Sequence, residues 1–129
     1  MTELVHLDVA DQVATITLDS EHNRNALSRQ LVSELGERLA AVEADDSVRV
    51  VVVRSAHRVF CSGADLTEAA EGSMEQGARD LVELQRSIVA SAKPVVVVLA
   101  GPVRAGGLGL VGAADLVICA ESVTFALSE

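Results

Sequence analysis

The sequence contains no tryptophan, no tyrosine and only two phenylalanines, so any core it builds has to be aliphatic, chiefly Val, Leu and Ala. Positive charge is also scarce. Ten Lys and Arg stand against 19 Asp and Glu, a formal net charge of −9, and the basic residues never cluster. This speaks against a nucleic-acid partner, because phosphate affinity needs grouped Lys and Arg. A small anionic ligand stays compatible with a few well-placed basic residues. The two cysteines, Cys61 and Cys119, lack metal-ligand spacing. They point away from a disulfide scaffold and toward a reduced, cytoplasmic protein with no metal site. The opening MTELVHLDVADQ has neither a basic n-region nor a long apolar h-region, so no signal peptide is expected. Gly, Pro or Asp interrupts each long apolar run, so no membrane span is expected either.

What is present is enough for one domain with a substantial core: 129 residues, 50% of them hydrophobic. LVHLDVA and VATITLD, joined by Asp11-Gln12, read as a hairpin. From Ser28 to Ala44, Leu31, Leu35, Leu39 and Val42 recur at helical spacing, with Ser28 or Asn25 as candidate caps. VRVVVV (48–53) is uniformly apolar and predicts a strand covered on both faces. The Gly- and Glu-containing segment 68–77 reads as mobile. Leu81, Leu84 and Ile88 mark a second helix ending near Lys93-Pro94. VVVVLA (95–100), a glycine turn with a short helix, and LVICAE follow. The predicted order is β-β-α-β-α-β-α-β, an α/β chain without visible repeat or linker. The closing TFALSE looks like an interrupted strand, as in a fragment.

Gly107 to Gly112, GLGLVG, matches G-x-G-x-x-G. In a dinucleotide-binding unit the glycines follow the strand at once and open a helix of several turns. Here Gly101 to Ala105 intervene, and only Ala113, Ala114 and Asp115 precede the next strand. A different geometry suits the spacing. Ala105-Gly106-Gly107 opens a short helix whose first N–H groups lack helical partners and favour negative charge. Alternatively, the glycines serve close packing of a helix on a sheet. A second glycine turn, Phe60-Cys61-Ser62-Gly63-Ala64-Asp65-Leu66, also follows a strand. Two such turns can aim main-chain donors at one carbonyl oxygen, forming an oxyanion hole.

At this point the sequence resembles the enoyl-CoA hydratase/isomerase family, the crotonase superfamily. HNRNALS resembles its early N-A-L turn, VFCSGADL its F-x-x-G-A-D-L segment, and AGPVRAGGLGLVGAADLVICAESVTFALSE its glycine turn, following Asp and closing F-x-x-x-E. The resemblance implies a crotonase-like spiral of ββα units, the architecture shared with Clp-type proteases. Residues 1–129 would be its N-terminal portion, without the C-terminal helical region. It implies binding of acyl-CoA thioesters, with the amides of Ala64 and Gly106 polarising the thioester carbonyl. Arg24 and Ala26 lie at the N-A-L turn, Arg24 placed to face a CoA phosphate. Asp65 follows the first oxyanion turn, and Leu66 would line the acyl-pantetheine entrance. No tightly bound cofactor is implied beyond CoA as part of the substrate. The complete protein would be a homotrimer or a dimer of trimers.

Family hydratases carry two glutamates, one three residues after the second oxyanion glycine and one ending F-x-x-x-E. Here the first position is Gly109 and the second is Glu129. Two carboxylates divide the work of hydration naturally, whereas one can take a proton from one carbon and return it to another. Enoyl-CoA isomerisation is therefore favoured, with a true hydratase (a lyase) of fatty-acid or amino-acid breakdown and a non-catalytic acyl-CoA-binding relative as alternatives. Other candidates read as structural. Cys61 fills a small buried space instead of forming a thiol–imidazole pair with His57. Asp65 caps a helix. Asp115 holds the end of the short helix and the oxyanion turn. His6 and His22 are strand-face and loop residues.

Overall fold

A computed structural model describes residues 2–72 and 74–127. The hairpin forms as the alternation predicts: β1 (Val5–Ala10) pairs antiparallel with β2 (Val13–Leu18), Ala10 opposite Val13. Asp11 and Gln12 both take positive φ, 52° and 69°. That is the twist a two-residue hairpin turn requires. From β2 onward every neighbour in the main sheet is parallel. β3 (Val50–Ser55) joins β2, β4 (Val95–Leu99) joins β3, and β6 (Leu116–Cys119) joins β4, giving the order β1-β2-β3-β4-β6.

The crossovers are helical. α1 (Arg29–Glu43) buries Leu31, Leu35, Leu39 and Val42, and Ser28 caps it by accepting from the Leu31 amide at 3.1 Å. α3 (Met74–Ala90) buries Leu84 and Ile88. Lys93 closes the far end of α1, its ammonium donating to the carbonyls of Val42 and Asp45. The core side of the sheet consists of Ala14, Ile16, Leu18, Val51, Val53, Val95, Val97 and Leu99, all buried with the helical leucines in one cluster.

Three expectations need correction. The valine run is not covered on both faces: Val51 and Val53 are buried while Val50 and Val52 are only half-buried, as in β4. Its uniform apolarity therefore does not report two covering layers. Segment 68–77, read above without secondary structure, is largely helical. α2 (Leu66–Ala70) starts from Asp65, whose carboxylate accepts from the Glu68 amide, and α3 begins at Met74; Ser73 lies outside the described residues. Asp115, just past the helix opened by the glycine turn, bonds to the sheet and not to that turn. Its carboxylate accepts from the Val95 amide at 2.8 Å, tying the start of β6 to the start of β4. The four residues of β6 are exposed, as are Phe125 and Leu127, which leaves an apolar sheet edge.

At the hairpin edge, Asp19 joins two imidazoles: His6 Nε2 at 2.8 Å and His57 Nε2 at 2.6 Å, while His6 Nδ1 meets Glu3 at 2.6 Å. The hydrogen bonds to Asp19 and Glu3 raise the His6 pKa above 6.5. The bonds from His6 and His57 lower that of Asp19 below 3.8. The His6 contribution to stability is thus fully present below pH 6.5 and lost as pH rises through its raised pKa. The Asp19 contribution is present above 3.8 and lost as pH falls through its lowered one. Both groups are solvated, so the effect stays below about 1 kcal/mol. Thermal melts of wild type and His6→Gln should differ at pH 5 and converge at pH 9; a constant difference would contradict the linkage.

Candidate active site: two main-chain amides on one cavity

Beyond the ends of β2, β3 and β4 the chain builds a second, small layer from backbone alone. The Ser62 amide donates to Arg24 O at 3.1 Å and Leu27 to Gly63 O at 2.8 Å. On the other side of the 60–64 segment, Phe60 donates to Pro102 O at 3.0 Å and Arg104 to Cys61 O at 3.0 Å. β5 (Val103–Arg104) then pairs parallel with β7 (Phe125–Ala126), and Ala105 donates to Ala126 O at 2.8 Å. Four segments thus lie side by side, and both glycine turns emerge at the same edge.

Two amides stay outside this ladder. Neither Ala64 nor Gly106 donates a hydrogen bond among the described residues. Both line one cavity of about 270 Å³, together with Leu27, Asp65, Leu81 and Ala105. The turns touch: Gly63, at φ 98°, has no room for a side chain, because a Cβ there would lie 2.9 Å from the Ala105 Cβ. Ala105 itself sits at φ 48°, a left-handed conformation that turns the chain into Gly106. Free donors are suited to an oxyanion, since no protein acceptor has to be displaced when charge develops.

The three glycines of GLGLVG do not form a phosphate loop. Gly107, Gly109 and Gly112 all lie within α4 (Gly107–Ala113), a seven-residue helix. Two of them permit close packing. A Cβ on Gly107 would lie 2.8 Å from Cys61 Cβ, and one on Gly109 would overlap the amide of Gln85. Close packing and donor presentation, open alternatives in the sequence, therefore coexist one residue apart.

The remaining site residues are placed as follows. Asp65 lines the cavity and caps α2, its second oxygen accepting from Asn23 Nδ2 at 3.2 Å. Leu66 is 82% exposed and outside the cavity wall. Ala26 is buried beneath the turn. Arg24 is exposed, in the left-handed region at φ 52°, and its guanidinium has no partner among the described residues. Glu129 lies outside the described residues. Glu68 adds a carboxylate to the cavity wall that sequence reading passed over. It is engaged with α1, accepting from the Arg29 amide at 2.9 Å. Cys61 is fully buried and burial pushes its thiol up to about 11, the wrong direction for a nucleophile. Its would-be partner His57 is bonded to Asp19 instead.

Asn25 was read only as a possible helix cap. It is completely buried at φ 56°, with Oδ1 accepting from the Ser20 amide and Nδ2 donating to Ser55 Oγ and Phe60 O. It pins the N-A-L turn to the segment that carries Ala64.

The sequence profile describing the enoyl-CoA hydratase/isomerase family matches residues 8–129. The chain belongs to that family. It is 35% identical to the carnitinyl-CoA dehydratase of Proteus mirabilis, over all of this chain and 50% of that protein. It is 40% identical to the mitochondrial enoyl-CoA hydratase domain-containing protein 2 of Mus musculus, over 91% of this chain and 41% of that one. Among solved structures, an enoyl-CoA hydratase from Mycobacterium avium superposes with a TM-score of 0.84 at 41% identity, covering 97% of this chain and 50% of that chain. The enoyl-CoA hydratase from Bacillus anthracis superposes at 0.89 with 30% identity, covering 95% and 49%. The chain thus has the crotonase fold and spans about half the length of the relatives it matches. Among its described residues no helix is long and apolar enough to cross a membrane.

Proposed function

We propose that this enoyl-CoA hydratase/isomerase family member binds an acyl-CoA thioester with the carbonyl oxygen between the Ala64 and Gly106 amides, and that the protein shifts a 3-enoyl thioester to the 2-enoyl form. The observation that carries this reading is the pair of amides on one cavity that donate to nothing among the described residues. Bound there, the thioester acidifies its α-carbon, because the two donors stabilise the enolate that proton loss creates. The Glu129 carboxylate takes the α-proton, the electron pair delocalises over the dienolate, and the same carboxylic acid returns the proton at the γ-carbon. The double bond moves by one position and no water is consumed. Gly109 supports a single-acid reaction, since hydration is served best by a second carboxylate. Arg24, exposed and with no side-chain partner among the described residues, would meet an anionic group of CoA. The assembly proposed is a homotrimer or a dimer of trimers, with no cofactor beyond the CoA of the substrate.

A second reading, hydration or dehydration, is supported by the names of the relatives, a carnitinyl-CoA dehydratase and several enoyl-CoA hydratases. Parallel assays separate the two. Conversion of 3-hexenoyl-CoA to the 2-enoyl thioester should outpace hydration of crotonyl-CoA. Fast hydration without isomerisation would overturn the preferred reading. Tight acyl-CoA binding without turnover of either substrate would favour a non-catalytic relative.

A further inference from the structure

The wall that α3 gives to the cavity of the two amides changes size along the helix. Met74, Gly77, Ala78 and Leu81 line it at i, i+3, i+4 and i+7, one stripe of the helix. Leu81 marks the level of the oxyanion turn, since a Cβ on Gly106 would lie 3.4 Å from Leu81 Cδ2 and 2.9 Å from Leu27 Cδ1. One turn toward Met74, about 6 Å along the axis, the wall shrinks to Gly77 and Ala78. A Cβ on Gly77 would meet nothing within 4 Å, and its φ is not positive. Neither packing nor backbone conformation calls for glycine there, although glycine weakens a helix. What the missing side chain leaves is open volume beside the carbonyl site. Asp65 and Glu68, the carboxylates of the same cavity, are engaged with Asn23 and with the Arg29 amide. Gly77, Leu27 and Glu68 also border a second space of about 100 Å³, to whose wall Ser28, Arg29, Gln76 and Asp80 add polar groups.

Resting on the acyl-CoA reading above, we infer that Gly77 is a specificity-determining residue: the acyl chain runs from the carbonyl along α3 and over Gly77, and the site selects acyl groups of medium length. With the CoA arm led toward Arg24, the α3 wall is the side left to the acyl arm. The volume sets the length. At about 30 Å³ for each water-sized unit, the 270 Å³ of the cavity holds roughly nine non-hydrogen atoms, enough for the thioester group and a chain of about six carbons. A longer apolar tail either stays in water or enters the second space, where it strips water from Asp80 and Arg29. Neither route adds affinity.

Calorimetric titration with acetyl-CoA, hexanoyl-CoA and decanoyl-CoA, which have no double bond to move, tests the assignment in wild type, Gly77→Leu and Ala78→Leu. Leucine is a strong helix former, so α3 is kept while the space one turn from Leu81 is filled. Wild type should bind hexanoyl-CoA at least tenfold tighter than acetyl-CoA, as two buried methylenes out of the four added would give. Decanoyl-CoA should bind within about twofold of hexanoyl-CoA. The hexanoyl preference should fall about tenfold in Gly77→Leu. If that variant binds no thioester, Ala78→Leu, which narrows the same turn, decides by the same ratio. An unchanged ratio, no hexanoyl preference in wild type, or affinity that keeps rising to decanoyl-CoA overturns the role of Gly77 and leaves acyl-CoA binding intact. Failure of wild type to bind any of the three overturns both.

Discussion

Replacing Gly63 by alanine is expected to lower turnover of an enoyl-CoA substrate by about 10²-fold or more, the effect of losing one oxyanion donor. Gly63 holds φ 98°, which an L-residue adopts only under strain, and its missing side chain is where the Ala105 methyl already stands, 2.9 Å from a new Cβ. The added methyl presses the two turns apart at the point where they touch. The residues on either side of that contact, Ala64 and the Ala105-Gly106 step, carry the two free amides, so the donors lose their common focus. Backbone strain should also lower stability by about 1–3 kcal/mol. The control is Gly112→Ala, where a Cβ meets nothing within 4 Å. In α4 that change should leave turnover intact and slightly raise stability. Steady-state kinetics with a melting curve for each variant decides the matter. A folded Gly63→Ala protein with turnover within a few-fold of wild type would mean that the amides do not act as a pair.

Asn25→Leu should cost about 3–5 kcal/mol of unfolding free energy, read as a fall in the urea midpoint. The side chain is fully buried and makes a 2.8 Å bond from the Ser20 amide, a 2.8 Å bond to Ser55 Oγ and bonds of 3.1 and 3.3 Å to the carbonyls of Phe60 and Val59. Leucine leaves the Ser20 amide and the Phe60 carbonyl, both in buried residues, without this partner, and takes one bond each from the half-buried Ser55 Oγ and Val59 carbonyl. It also places a residue that disfavours positive φ at φ 56°, where asparagine is tolerated. Asn25→Asp probes the donors separately, because it keeps the acceptor for Ser20 but turns a carboxylate toward two carbonyls. It should be at least as damaging. If either variant unfolds within about 1 kcal/mol of wild type, Asn25 is not the pin between the N-A-L turn and the Ala64 segment.

Much of the main sheet was legible because its signals are local. Asp11-Gln12 between two alternating runs specifies a tight hairpin, and Leu31, Leu35, Leu39 and Val42 at helical spacing specify α1 with Ser28 as its cap. The small second layer was not. Its strands are two residues long or single bridges, held by main-chain hydrogen bonds that leave no side-chain pattern. α2 shows in the sequence only at its start, through its cap Asp65, because five residues are too few for periodicity to mark its extent. The covering of the valine run was misjudged because both crossover helices contribute their apolar faces to the same side of the sheet.

The sequence by itself determined the order of the main elements, the aliphatic core and the two turns in which Ala64 and Gly106 sit, because hydrophobic period and turn chemistry act between near neighbours. It also established that position 109 carries no acid. Only the tertiary structure decided that both amides reach one cavity with no partner among the described residues, that Asn25 pins the turns together, and that Gln85 fills the space beside Gly109. Those are contacts between segments distant in the chain. They depend on which backbone donors the fold uses up and which volumes it leaves open, and no local spacing encodes either.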